Sequence, residues 1–399
     1  MSTRTRPVVG TGRVIAALAV VVAVLVVVLL AEADGDPRDV EVTGWAFHAL
    51  LGVLLLLVVV GAVRARRRAS RALGVLAAVV LLLVTVAAGV NTYVDYDRTL
   101  GAVFGVEPAD EEPLARLLRQ TTVPAAGEIA PVTIPPRRSG FAARPALVYV
   151  PPAWFARPRP RLPVVVLLHG TPGTPSDWFG PGRAAATADA FAAAHGGTAP
   201  ILVAPDVNGT EDADTECVDS SLGRVETALT EDLPAFVTST FRTQPTGRAW
   251  AVAGLSEGGS CAAMLALRHP TLFGTFGDYA GLAGPRVGDT NADTASTVSG
   301  LFGGSAQAFR AHEPASLLAA RRFPRLGGWF EVGDGDGEPY AAQQTLVPLA
   351  RRVGITVCSV VVPGGGHTFD VFSEAFADSL PWIATRVGIP SAEVSCPQQ

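Results

Sequence analysis

The sequence predicts an α/β protein in which a mostly parallel sheet, covered by helices on both faces, follows three membrane-crossing helices. Three observations predict it. Three long uncharged runs crowd the first quarter of the chain. Beyond residue 126, short apolar segments alternate with segments of helical spacing. A serine between two glycines stands where one such strand meets one such helix. The bulk composition agrees: 49% hydrophobic and 17% charged residues exclude a disordered scaffold. All 31 basic residues are arginine and the net charge is −5, so no basic surface for nucleic acid is expected. The arginine-only usage points to a GC-rich genome.

The uncharged runs cover 14–31, 45–63 and 72–90, close to the roughly 20 residues a helix needs to cross a bilayer core. Arg4, Arg6 and Arg13 precede the first; Arg64, Arg66, Arg67, Arg68 and Arg71 lie between the second and third. Arginine marks the cytoplasmic side, so the acidic loop Glu32–Glu41 and everything after Val90 are expected outside. The first run also reads as a signal peptide ending at Ala31-Glu32-Ala33, which leaves the main domain on the same side. The expected organisation is a membrane domain 1–90, a linker 91–126, an extracytoplasmic domain 127–390 and a tail 391–399. Glu111-Glu112-Pro113 is expected to open a short linker helix.

Four cysteines, Cys217, Cys261, Cys358 and Cys396, all follow the last run. An even number in an oxidising compartment predicts two disulfides. Cys217 follows a strand expected beside the helix that carries Cys261; Cys358 lies in a late strand and Cys396 in a tail that needs fastening. These placements predict Cys217–Cys261 and Cys358–Cys396. No C-x-x-C spacing suggests a metal, and no cofactor is expected.

Strands are expected at Ala146–Val150, Pro163–Leu168, Ile201–Ala204, Trp250–Ala253, Trp329–Val332 and Thr356–Val362. Helices are expected at Ala184–Ala194, Val225–Thr240, Gly258–His269, Gln343–Val353 and Ser373–Val387. The continuous apolar character of Val164–Leu168 fits a strand buried on both faces.

Gly254-Leu255-Ser256-Glu257-Gly258 joins the strand before it to an Ala-rich helix. A nucleophilic serine on so tight a turn needs small neighbours two residues away, and the helix N-terminus behind it favours developing negative charge. In a strand–elbow–helix fold the base follows the final strand, where His367 stands after Gly364-Gly365-Gly366. The orienting acid should follow the preceding strand, in a loop holding Asp334, Asp336 and Glu338. Asp336 is preferred because Gly333 and Gly335 let the chain turn back; Asp334 and Glu338 remain open. Two amides should form an oxyanion hole: Glu257, next to the serine, and Thr171 in His169-Gly170-Thr171-Pro172-Gly173. Asp206, Asn208, Asp212 and Asp214 lack the glutamate of an EF-hand calcium loop and read as a polar loop at the site's rim.

Val164–Gly170, Asp177-Trp178, Ala251–Gly259, Arg268-His269-Pro270 and Gly366-His367 together resemble the esterase family of the α/β-hydrolase superfamily. That group includes esterase D, enterochelin esterase and the actinobacterial mycolyltransferases, and the resemblance runs from Pro131 to Gly388. It implies an α/β-hydrolase fold and a triad of Ser256, Asp336 and His367. The acid of the mycolyltransferases is a glutamate, which keeps Glu338 in play, and their loop after the first core strand differs from His-Gly-Thr-Pro-Gly, so a trehalose site is not carried over. The function read from the sequence is a membrane-anchored extracytoplasmic serine esterase acting on acyl esters, including lipids or glycolipids of the envelope. Acyl transfer to an envelope glycan or lipid is the alternative within enzymes; an inactive hydrolase fold that binds envelope components is the alternative outside them.

Overall fold

The structure, a computed structural model, describes residues 11–33, 37, 40–94, 97, 99–104, 114–210, 212–390 and 396. Arg4, Arg6, half of the acidic loop, the Glu111-Glu112-Pro113 helix start and the tail other than Cys396 lie outside the described residues. The chain divides into two compact units, Met1–Pro108 and Ala109–Gln399.

The first unit holds α1 (Thr11–Glu32), α2 (Trp45–Arg64) and α3 (Arg68–Val94). Among the described residues, α2 and α3 are long and apolar enough to cross a membrane. α1 is a helix of 22 residues whose side chains are described only from Leu18 onward, over which it is apolar to Ala31. α3 outruns the apolar run 72–90 at both ends, through arginines and through Asn91, Thr92 and Tyr93, residue types suited to a membrane interface. α2 and α3 approach closely where a Cβ on Gly74 would meet the Ala62 Cβ at 2.7 Å. His48 Nε2 lies 2.8 Å from Thr92 Oγ1, so the imidazole in α2 is satisfied by its neighbour. Leu73, Leu76, Leu83, Val63 and Val86 are exposed.

The second unit is built on an eight-stranded sheet of β1 (Glu128–Val132), β2 (Ala146–Val150), β3 (Val164–Leu168), β4 (Ile201–Ala204), β7 (Gly247–Leu255), β8 (Phe273–Tyr279), β9 (Gly327–Gly333) and β10 (Thr356–Val362). Their order is β1-β2-β4-β3-β7-β8-β9-β10, and β5 (Asp219–Ser220) pairs with β6 (Gly223–Arg224) in a small separate ribbon. β1, β2 and β4 meet antiparallel; every pairing from β4 to β10 is parallel. β2, β3 and β4 are buried at every position, as unbroken Val, Leu and Ile runs require when helices cover both faces.

Two strands had no clear pattern in the sequence. β1 contains Pro131, tolerable because β1 lies at the sheet's edge. β8 contains Gly274 and Gly277, which look like loop residues but are imposed by packing: a Cβ on Gly277 would meet Tyr279 Oη at 2.7 Å, and one on Gly274 would meet Arg248 Cα at 2.9 Å. Val225–Thr240 is helical as expected, with a π turn, Ala228–Asp232, between Val225–Thr227 and Leu233–Phe241. The disulfides join Cys217 to Cys261 and Cys358 to Cys396.

Candidate active site

β7 runs into Ser256, and the elbow helix Glu257–Arg268 starts one residue later. Ser256 sits at φ 55°, ψ −123°, a conformation L-residues rarely hold. Its N–H bonds to Tyr279 O at 2.9 Å, which anchors the turn to β8. The flanking glycines are steric necessities. A Cβ on Gly254 would lie 2.0 Å from Gly258 O, and one on Gly258 would lie 2.1 Å from Leu168 O. The elbow is therefore pressed against the end of β3, where Gly170 passes so near that a Cβ there would meet Ser256 Cβ at 3.0 Å.

His367 and Asp336 come from the loops after β10 and β9. His367 Nε2 lies 2.9 Å from Ser256 Oγ, and its Nδ1 lies 2.6 Å from Asp336 Oδ2. With the ring proton on Nδ1, the imidazole donates to Asp336 and accepts from Ser256. The Asp336 side chain is 9% exposed and that of His367 42%, so a sheltered carboxylate faces a ring that solvent can reach. His367 packs edge-on against Phe372 at 5.0 Å between centroids. The other two candidate acids are engaged elsewhere. Asp334 Oδ1 accepts the Gly364 N–H at 2.7 Å, and Glu338 Oε2 accepts the Asn291 N–H at 2.7 Å. The acid and base loops meet backbone to backbone: Gly335 N–H donates to Gly365 O at 2.9 Å, and a Cβ on Gly333 would lie 2.1 Å from that same oxygen.

On the other side of Ser256, polar side chains make the contacts. Thr171 Oγ1 donates to Glu257 Oε2 and to Ala213 O, the latter at 3.1 Å. Asn208 Nδ2 reaches both Thr171 Oγ1, at 2.5 Å, and Glu257 Oε2, at 2.9 Å. The Glu216 N–H donates to Glu257 Oε1 at 3.0 Å. Burial pushes the Glu257 carboxyl up to about 7, against the hydrogen bonds from Thr171 and Asn208. Burial, then the nearby charges of Glu257 and Asp214, push Glu216 well above the usual carboxylate range. Among the described residues, no backbone carbonyl outside the helix takes the N–H of Thr171 or Glu257. Both amides border the Ser256 turn, the second as the first residue of the helix, where intrahelical partners are missing.

His169 is fully buried, with Nδ1 2.8 Å from Gly170 O and Nε2 3.3 Å from Asp206 Oδ1. Asp206 is held by Arg144 Nη2 at 2.6 Å and by the amides of Asn208 and Gly209. Burial opposes its charge, but the hydrogen bonds from His169 and Arg144 keep its pKa below the usual carboxylate range. Of the polar loop expected at the rim, Asp206 and Asn208 are buried braces, whereas Asp212 is exposed and Asp214 half-buried. A segment of the β8–β9 connection crosses from one side of the site to the other: Gly288 N–H donates to Asp214 Oδ2 at 3.0 Å, three residues before Asn291 meets Glu338.

Asn208, Glu216 and the Glu257 side chain carry this arrangement; the sequence alone places Asn208 in the polar loop and offers no link from it to Glu216 or Glu257. The available signal was Glu257 itself, a charged residue placed directly after a buried turn and read only for its amide.

A serine on a strained strand-to-helix turn, beside a histidine on the loop after the last strand, defines an α/β-hydrolase of the serine-hydrolase class. Residues 142–383 match the family described as "Putative esterase", and the chain belongs to that family. Over 325 residues it is 35% identical to an uncharacterized protein of Corynebacterium glutamicum, covering 78% of this chain and 75% of the relative. Its fold is similar to an S-formylglutathione hydrolase from Agrobacterium tumefaciens, with TM-score 0.55 and 20% identity over 68% of this chain and 99% of that one. It is also similar to a ferulic acid esterase, with TM-score 0.54 and 19% identity over 66% of this chain and 99% of the other.

Proposed function

We propose that the protein is a membrane-anchored serine esterase whose catalytic domain, 127–390, stands outside the cytoplasm. In this reading 1–90 is the anchor, 91–126 the linker and 391–399 the tail. The observation that carries the chemistry is the hydrogen-bonded chain from Ser256 Oγ through His367 to Asp336, at 2.9 and 2.6 Å. Ser256 Oγ attacks the acyl carbonyl while His367 Nε2 takes its proton, and Asp336 stabilises the resulting imidazolium. The Thr171 and Glu257 amides receive the oxyanion. Collapse expels the alcohol, which takes the proton from His367, and leaves an acyl-serine. Water then attacks with its proton passing to His367, releasing the acid and restoring the serine.

The location is supported by the arginines between α2 and α3, which favour the cytoplasmic side, and by two disulfides, which favour an oxidising compartment. Alkaline phosphatase fused after Gln399 should be active; a silent fusion would overturn this topology. A fluorophosphonate probe should label the wild type and not Ser256→Ala, and the wild type should hydrolyse an activated acyl ester. Absence of labelling would favour the inactive binding protein instead.

Acyl transfer to an envelope lipid or glycan is the second reading. The exposed apolar faces of α2 and α3 favour it, because a bilayer against them would keep such acceptors close. It differs only in the alcohol that replaces water in the second half-reaction. Product analysis with lipid and sugar acceptors separates the two.

A further inference from the structure

Glu257 occupies the first position of a helix whose interior face is wholly apolar or small, yet its carboxyl is buried and bonded on both oxygens. Its three partners come from two loops remote in sequence. Thr171 and Asn208 follow β3 and β4, and Glu216 lies further along the second loop. One turn on, at the i+4 position facing the same way, Cys261 is bonded to Cys217, the neighbour of Glu216. The Glu216-Cys217 pair is thus clamped to the elbow helix at two successive turns, and Ala213 O, just upstream, accepts the Thr171 hydroxyl.

We propose that the Glu257 side chain is a positioning residue that sets the separation of the two oxyanion amides by tying the Thr171 loop to the elbow helix. The inference rests on the serine-esterase reading above. One residue then serves twice: its amide faces the oxyanion, and its carboxyl fixes where the other amide stands. Displacing the Thr171 loop by about an ångström would weaken a contact made mainly in the transition state, so the effect belongs in kcat and not in KM. The Thr171 hydroxyl and the Glu257 carboxyl act through one bond, so their contributions should not be independent.

The test is a double-mutant cycle on the full-length protein in detergent, with p-nitrophenyl butyrate as substrate and fluorophosphonate labelling of Ser256 alongside. Glu257→Ala and Thr171→Val should each lower kcat about 10- to 100-fold with KM within about threefold. The double variant should be no slower than the slower single variant. Effects that multiply in the double variant, or a Glu257→Ala enzyme with kcat within about threefold of wild type, would overturn the proposal. Should Glu257→Ala fail to give a cooperative thermal transition, Glu257→Gln replaces it in the same cycle under the same criteria. A wild type that neither labels nor turns over the ester would overturn the underlying reading, and with it this proposal. A labelled, active wild type with independent variants overturns this proposal alone.

Discussion

On the His367 side of Ser256 the loops meet backbone to backbone, through Gly333, Gly335 and Gly365. On the Thr171 side they meet through buried carboxyl and amide side chains, with a disulfide alongside. The difference follows from what each half must do. In the proposed esterase the base has to collect and release protons, so its ring is 42% exposed and its support is main chain, one carboxylate and the edge contact with Phe372. The amides proposed to hold the oxyanion have to stay still, so their support is a set of largely buried side chains hydrogen-bonded to one another. Solvent access is spent on one half and withheld from the other.

Breaking the proton-handling half should have the largest effect. Asp336→Asn should lower kcat about 10⁴-fold, because the imidazole loses control of its tautomer. Asp334→Asn and Glu338→Gln, whose carboxylates bond to loop amides, should stay within about tenfold on the same activated ester. A collapse in either, with Asp336→Asn near normal, would move the orienting role.

The enclosed half is tested next. Removing the Cys217–Cys261 bond, which spans 44 residues, by a double Cys→Ser change should cost about 4 kcal/mol of stability. Removing Cys358–Cys396, which spans 38, should cost about as much. Only the first should also lower kcat, measured well below the unfolding transition, because only it fastens a loop that touches Glu257.

Gly333→Ala breaks the backbone contact on the proton-handling side. Its Cβ would run into Gly365 O, which cannot rotate away, so a loss of about 1–3 kcal/mol is expected in urea unfolding. Gly337→Ala, in open space, is the control and should be neutral within about 0.5 kcal/mol.

The smallest effect is a slope. The Glu257 pKa is about 7 in the folded protein, above its value in the unfolded chain, so folding takes up a proton at intermediate pH. The associated stability is fully present below about pH 4.5 and is lost as pH rises through 7. Wild type should therefore weaken between pH 5 and 8. Glu257→Gln should remove up to about 1 kcal/mol per pH unit of that decline. Identical slopes for the two proteins would place the proton elsewhere.

The part of the site that could be read from sequence was the part written locally. Ser256 announces itself because its neighbours at two residues' distance must be small, and Asp336 because glycines before it let the loop turn back. The brace around Glu257 is written in three separate places, Thr171, Asn208 and Glu216, and nothing at any of them points to the others. The same contrast separates β3, whose Val and Leu run states its burial outright, from β8, whose glycines record contacts with Tyr279 and Arg248 that exist only after folding. Helices α1, α2 and α3 were legible by length and composition, because an uncharged run of roughly 20 residues is written locally.

The segment of the β8–β9 connection that bridges the two halves has an evolutionary consequence. At Gly288 and Asn291 its attachment includes main-chain N–H groups, received by Asp214 and Glu338. Every residue type but proline carries such a donor. Selection can therefore exchange side chains along this crossing while the two attachments remain, with Gly288, at φ 85°, and Asn291, whose side chain bonds Ala283 N–H and Glu338 O, as its fixed points. A lineage could vary the residues between these two points without touching Ser256, His367 or Asp336.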